Sequence, residues 1–126
     1  MKVAVGIASS GQMGMRTVET LIKLYKAYPD LGLIYAESCY VHFNREQIAE
    51  QAIEKGYTHL FFVDTDMQFE PDVLPKLMAH GKDVVGALYY KRMEPRTPVF
   101  SIRYETIPQR IFTQNVLATG CLLINL

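Results

Sequence analysis

Neither sign of charge is in excess. Thirteen basic and thirteen acidic residues leave no formal net charge over 126 residues. A balanced chain has no broad electrostatic footprint for nucleic acid or for an anionic membrane surface. Long apolar runs are missing too: none reaches the eighteen or so residues of a transmembrane helix. The opening stretch MKVAVGIASSGQMG carries one lysine and a short apolar run. Gly6 interrupts that run and no long apolar region follows, which argues against a signal peptide and for a first buried strand. Cysteine is scarce. Cys39 and Cys121 stand far apart and fit reduced cytoplasmic thiols better than a disulfide framework. With no other cysteine, a thiolate zinc site is excluded. None of His42, His59 and His80 has a histidine or carboxylate partner at metal-ligand spacing, so all three read as structural. Phosphate-loop signatures are absent as well. Gly6-x4-Gly11 is followed by Gln12-Met13 rather than Lys-Ser/Thr, and there is no G-x-G-x-x-G. This excludes P-loop and dinucleotide-binding readings.

What is present is an alternation of strand and helix patterns in a chain with 49% hydrophobic residues. The length allows one domain, residues 1–126, with one core. No repeat, low-complexity segment or linker divides it. Residues 2–8 read as a strand. Residues 15–28 place Val18, Leu21, Ile22, Tyr25 and Tyr28 at helical spacing, and Pro29-Asp30 stops the helix. Residues 33–36 form a second strand, closed by Glu37-Ser38. Asn44 reads as the N-cap of the next helix, with Gln47 as a near capping box and Phe43 and Ile48 as a hydrophobic staple. That helix is expected to bury Ile48, Ala52 and Ile53, with Gly56 as its left-handed terminus. His59-Leu60-Phe61-Phe62-Val63 is too short for a helix and suits a strand buried on both faces. A helix opens at Pro71 or Asp72, since Pro75 is tolerated only in a first turn. Further strands are expected at residues 83–89, 99–104 and 116–124, with a short apolar piece at residues 111–112. The pattern predicts an α/β fold: a three-layer α/β/α sandwich around a mixed, mostly parallel, Rossmann-like sheet.

The stretch YTHLFFVDTDMQFEP organises the functional reading. Its buried strand ends in Asp64 and Asp66, separated only by Thr65. Ligands of open α/β sheets bind beyond the carboxyl ends of the strands. Two acids leaving such a strand can converge on a hard divalent cation and the phosphate oxygens it carries. The alternative is that they merely start a turn. Glu37 stands at another strand end, Arg45 in the first turn of a helix, and Lys91-Arg92 after a strand. Each has a plain reading as a solvated surface charge.

The apolar run, Asp64-Thr65-Asp66 and the following Pro71-Asp72 resemble the GT-A family of nucleotide-sugar glycosyltransferases, nearest to its family-2-like members. The match extends from Asn44-Arg45 through Gly56 to Val84-Val85-Gly86, and resumes at Thr119-Gly120-Cys121-Leu122-Leu123-Ile124. The resemblance implies transfer of a sugar from a UDP- or GDP-type nucleoside diphosphate sugar to an unknown acceptor, with Mn²⁺ or Mg²⁺. Asp66 would be the direct metal ligand, and Asp64 would hold ribose or the metal through water. Ala8, Ser9, Glu37, Arg45, Asp64 and Thr65 would line the nucleotide. Lys91 and Arg92 would approach the diphosphate or the acceptor. The family continues beyond its Thr-Gly strand into a segment carrying the catalytic base, so the acceptor half is expected to be reduced or absent here, in a chain that is truncated, naturally short or completed by another copy. Neither Glu94 nor Glu105 sits in a recognisable base motif. Two alternatives stay open: a catalytically incomplete nucleotide-sugar-binding or assembly module, and a metal-dependent phosphoryl-transfer enzyme. An open sheet edge left by a missing acceptor half would need cover, which a second copy of the chain can supply.

Overall fold

The alternation seen in the sequence becomes eight elements in the computed structural model, which describes residues 1–90, 94–99 and 117–126. They are β1 (Val3–Ser9), α1 (Met15–Ala27), β2 (Gly32–Glu37), α2 (Val41–Glu54), β3 (His59–Val63), α3 (Val73–Ala79), β4 (Val84–Gly86) and β5 (Cys121–Asn125). The five strands form one open mixed sheet in the order β2-β1-β3-β5-β4. β1 pairs in parallel with β2 and β3. β5 runs antiparallel to both β3 and β4, so four strands point one way and β5 points back. The fold is therefore α/β, with three helices among the described residues.

The burial pattern explains the strand order. β1 is buried from Val3 to Ala8 and β3 from Leu60 to Val63, as continuous apolar runs demand. β2 alternates instead, burying Ile34 and Ala36 while Leu33 and Tyr35 stay exposed, which suits an edge. Alternation of side chains along each strand splits the core in two. One cluster joins Val5, Ile7, Phe61, Val63 and Cys121 with Leu24 of α1 and Leu74 and Leu77 of α3. The other joins Ala4, Ala8, Leu60, Phe62 and Leu122 with Ile48 and Ala52 of α2.

Several local expectations need correction. In α1 the buried seam is Thr17, Thr20 and Leu24, flanked by Leu21, Tyr25 and Tyr28. Ile22 lies outside it and is exposed, because its position is rotated well over a quarter turn from that seam. α2 starts at Val41 rather than after Asn44, and Tyr40 precedes it. Asn44 is thus inside the first turn and buried, while Phe43 and Ile53 are exposed, so there is no hydrophobic staple. Gly56 has φ +71° at the end of that helix, as expected. Pro75 is the third residue of α3 and so costs no helical hydrogen bond. β4 ends at Gly86 rather than Tyr89, and β5 begins at Cys121. The expected elements at residues 100–104, 111–112 and 116 lie outside the described residues. No helix among the described residues is long and apolar enough to cross a membrane.

Candidate functional site at the carboxyl ends of the strands

Parallel pairing brings the ends of β1, β2 and β3 to one rim of the sheet. Ser9 is in register with Glu37, and Gly6 with Phe62, so Ser9, Glu37 and the Asp64–Asp66 turn share that rim. Two strand spacings, about 10 Å, separate the lines of β2 and β3.

Asp64 follows Val63 in the alternation, so its side chain leaves the sheet on the face that α2 covers. Arg45, in the first part of α2, meets it there: Nη2 donates to Asp64 Oδ1 at 2.6 Å. Arg45 Nε is buried without a hydrogen-bond partner. The backbone of Asp64 is held from the other side, its N–H donating to Gly120 O at 3.0 Å. This bond continues the β3–β5 ladder one residue past Val63 and Cys121. Gly120 N–H in turn donates to the hydroxyl of Tyr89 at 2.9 Å. Burial pushes the Tyr89 hydroxyl above its ordinary value; the Gly120 donor opposes this, and the charges of Asp64 and Asp66 add to it. Thr65 O accepts from Gly14 N–H at 2.9 Å, which ties the turn to the start of α1. Asp66 is exposed in the same turn.

The β1 and β2 ends are fastened by Asn44. Its Nδ2 donates to Ser9 O at 3.1 Å and to Ser38 O at 3.2 Å, and its Oδ1 accepts from Ser38 Oγ at 2.6 Å. Ser38 N–H adds a further bond to Ser9 O at 3.1 Å. Ser9 Oγ accepts from Gly11 N–H at 2.9 Å. Glu37 is exposed, with Oε1 3.1 Å from where a methyl group on Gly11 would sit. Ala8 has its side chain in the core under α2, which leaves only its backbone for a ligand. Lys91, Arg92 and Glu105 lie outside the described residues. Glu94 is exposed and paired with Arg96 at 3.4 Å.

The rim therefore gathers Ser9, Glu37, Arg45, Asp64, Thr65 and Asp66. Sequence reasoning missed Tyr89 and Gly14, and it misassigned Asn44 as a cap. Gly120 stood in a recognised motif, but nothing in the sequence pairs it with Tyr89. Carboxylate oxygens are the donors that Mg²⁺ and Mn²⁺ take. Among the described residues no group of three His, Cys, Asp or Glu could hold a metal ion by itself. The donor set fits a cation shared with a ligand's phosphates and not an all-protein cage.

No family model matches the chain, and no curated protein matches it. Among solved structures the fold is similar to that of A197 from STIV, with 23% identity and a TM-score of 0.66. The alignment covers 99% of this chain and 65% of that one. At this identity the likeness shows the fold alone. The assignment to family-2-like GT-A glycosyltransferases, truncated after the Thr-Gly strand, is accordingly withdrawn. A short Asp-x-Asp set without a family match or a three-ligand cluster does not establish membership.

Proposed function

We propose that this rim binds a UDP- or GDP-type nucleoside diphosphate sugar together with Mn²⁺ or Mg²⁺, and that the protein transfers the sugar to an acceptor. The observation that carries the reading is Asp64. It leaves a buried central strand, is braced by Arg45 and Gly120, and stands one residue from the exposed Asp66. A rigid frame of this kind is what a metal–phosphate site requires. Asp66 would hold the cation, and Asp64 would keep the turn in place and meet ribose or a metal-bound water. When bound, the cation would neutralise the diphosphate and ease departure of the nucleoside diphosphate. Arg45 supplies positive charge beside the same phosphates. Ser9, Glu37 and Thr65 would line the nucleotide. We also propose an α/β/α layering, supported by the two core clusters, one with α1 and α3 and the other with α2.

The test is a calorimetric titration with Mn²⁺ and uridine or guanosine diphosphate. The parent should bind the pair together and neither nucleotide well alone. Asp66→Asn should abolish metal-dependent binding with the fold intact, while Glu94→Gln, in an exposed ion pair, should leave it unchanged. If the parent binds no metal–nucleotide complex, or Asp66→Asn binds as the parent does, the Asp-x-Asp is a turn and the proposal fails. Hydrolysis or transfer of the sugar separates an enzyme from a binding module that stops at the complex.

A further inference from the structure

We infer that Tyr89 is a positioning residue of this rim: its hydroxyl fixes Gly120, and Gly120 fixes Asp64. This deepens the proposed function and takes the metal–nucleotide site from it. Three observations carry it independently of any ligand. Tyr89 Oη accepts the Gly120 N–H at 2.9 Å. The carbonyl of the same Gly120 accepts the Asp64 N–H at 3.0 Å. A methyl group added at Gly120 would collide with the Tyr89 hydroxyl and lie 3.0 Å from Asp64 Oδ2. Tyr89, Gly120 and Asp64 are thus packed against one another with no room for a side chain at position 120.

The arrangement has a reason in the sheet. β4 ends at Gly86, and the chain turns away after Ala87 N–H has met Cys121 O at 3.0 Å. Gly120 lies just outside β5, and the Asp64 carbonyl across from it accepts Met67 N–H at 3.3 Å instead. A buried N–H without an acceptor is costly, and the Tyr89 hydroxyl fills the place. Arg45 grips the Asp64 side chain from the α2 face, while Tyr89 and Gly120 hold its backbone from the β5 side. Groups that support the residues of a metal site from behind tune its affinity by roughly ten- to a hundredfold, and here the support reaches the turn that carries Asp64 and Asp66.

The experiment compares the parent, Tyr89→Phe and Tyr25→Phe. Tyr25 is the control: its hydroxyl donates to Gly32 O at 3.0 Å, at the start of β2 and the opposite end of the sheet. Both variants lose one part-buried hydroxyl and should melt at a lower temperature. Affinity for the Mn²⁺–uridine diphosphate pair should fall roughly tenfold in Tyr89→Phe and stay at the parent value in Tyr25→Phe. Amide exchange followed by NMR should quicken at Gly120 and Asp64 in Tyr89→Phe alone. Equal affinity in parent and Tyr89→Phe overturns the inference while the proposed function stands. If the parent takes up no metal–nucleotide pair, the proposed function fails, and exchange decides the positioning role by itself. Parent-like protection of Gly120 and Asp64 in Tyr89→Phe then overturns it.

Discussion

Arg45 and Asp64 lie nineteen positions apart and meet at 2.6 Å, so that the helix after β2 holds the turn after β3. Both side chains are partly exposed, at 26% and 34%. A pair this open is worth little to stability, about 1 kcal/mol or less. Its larger effect falls on the site. Arg45→Gln leaves Asp64 and Asp66 without the guanidinium that offsets their like charges. Mn²⁺ alone should bind this variant more tightly than the parent. Uridine diphosphate with Mn²⁺ should bind it less tightly, because a cation beside the phosphates is gone. Parallel titrations with and without nucleotide read the two opposite shifts.

Asn44 should matter more to the fold than any charged residue of the rim. It is 1% exposed, and its amide joins Ser9 O, Ser38 O and Ser38 Oγ. Asn44→Ala strips partners from three groups near the ends of β1 and β2. Ser9 O keeps its bond from Ser38 N–H, whereas a buried polar group left unmatched costs about 1–3 kcal/mol where water cannot replace the partner. A loss of roughly 2–3 kcal/mol in urea denaturation is expected. Asn44→Asp removes the donor and adds a charge, and should be at least as damaging.

Asn44 also marks where sequence reasoning reaches its limit. Asparagine ahead of an apolar-periodic stretch has the local signature of an N-cap. The same donors and acceptors serve equally well across a strand end, and no local pattern separates the two uses. β1, β3 and the Asp64–Asp66 turn were legible because a short apolar run ending in acids admits few placements in an α/β sheet. Ile22 and Ile53 misled because hydrophobicity alone does not say which helix face meets the sheet. β4 looked longer than it is because the apolar run continues to Tyr89 while the partner strand runs out at Gly86–Leu122. The Tyr89–Gly120 bond joins residues 31 apart, a tertiary contact with no periodic signal.

Phe61 tests whether the site rests on the central strand. It is fully buried in β3 and packs edge to face on Phe69, with ring centroids 5.6 Å apart. Phe69 follows the acidic turn, so the pair pins both ends of the loop bearing Asp64 and Asp66. Phe61→Ala should cost about 3–5 kcal/mol, read from the shift of the urea midpoint. Phe69→Ala, at a partly buried position, should cost less in stability and yet weaken metal–nucleotide binding, since it loosens the loop and spares the strand.

Cys121 gives a prediction about alkaline pH. It begins β5 and is 1% exposed, and burial pushes its thiol from an ordinary 9.0 up to about 12, against a hydrogen bond from Ala87. In the unfolded chain the thiol ionises near its ordinary value, while the folded chain keeps the proton until about 12. The unfolded state therefore binds fewer protons between these limits, and stability falls as pH rises through them. Below 9.0 the contribution is complete and does not vary with pH. The loss should reach roughly 2–4 kcal/mol by the upper limit. Tyr25, raised by burial to about 12, adds to the decline in the same direction. Cys121→Ala should be less stable than the parent at pH 7 and show a shallower fall above pH 9, with the Tyr25 part remaining. Thiol labelling gives a second reading of the same physics: at pH 8 the exposed Cys39 should react readily, and Cys121 only on unfolding. A parent whose urea midpoint is flat between pH 9 and 11, or whose two cysteines label at equal rates, contradicts the assignment of a buried, protonated thiol at the start of β5.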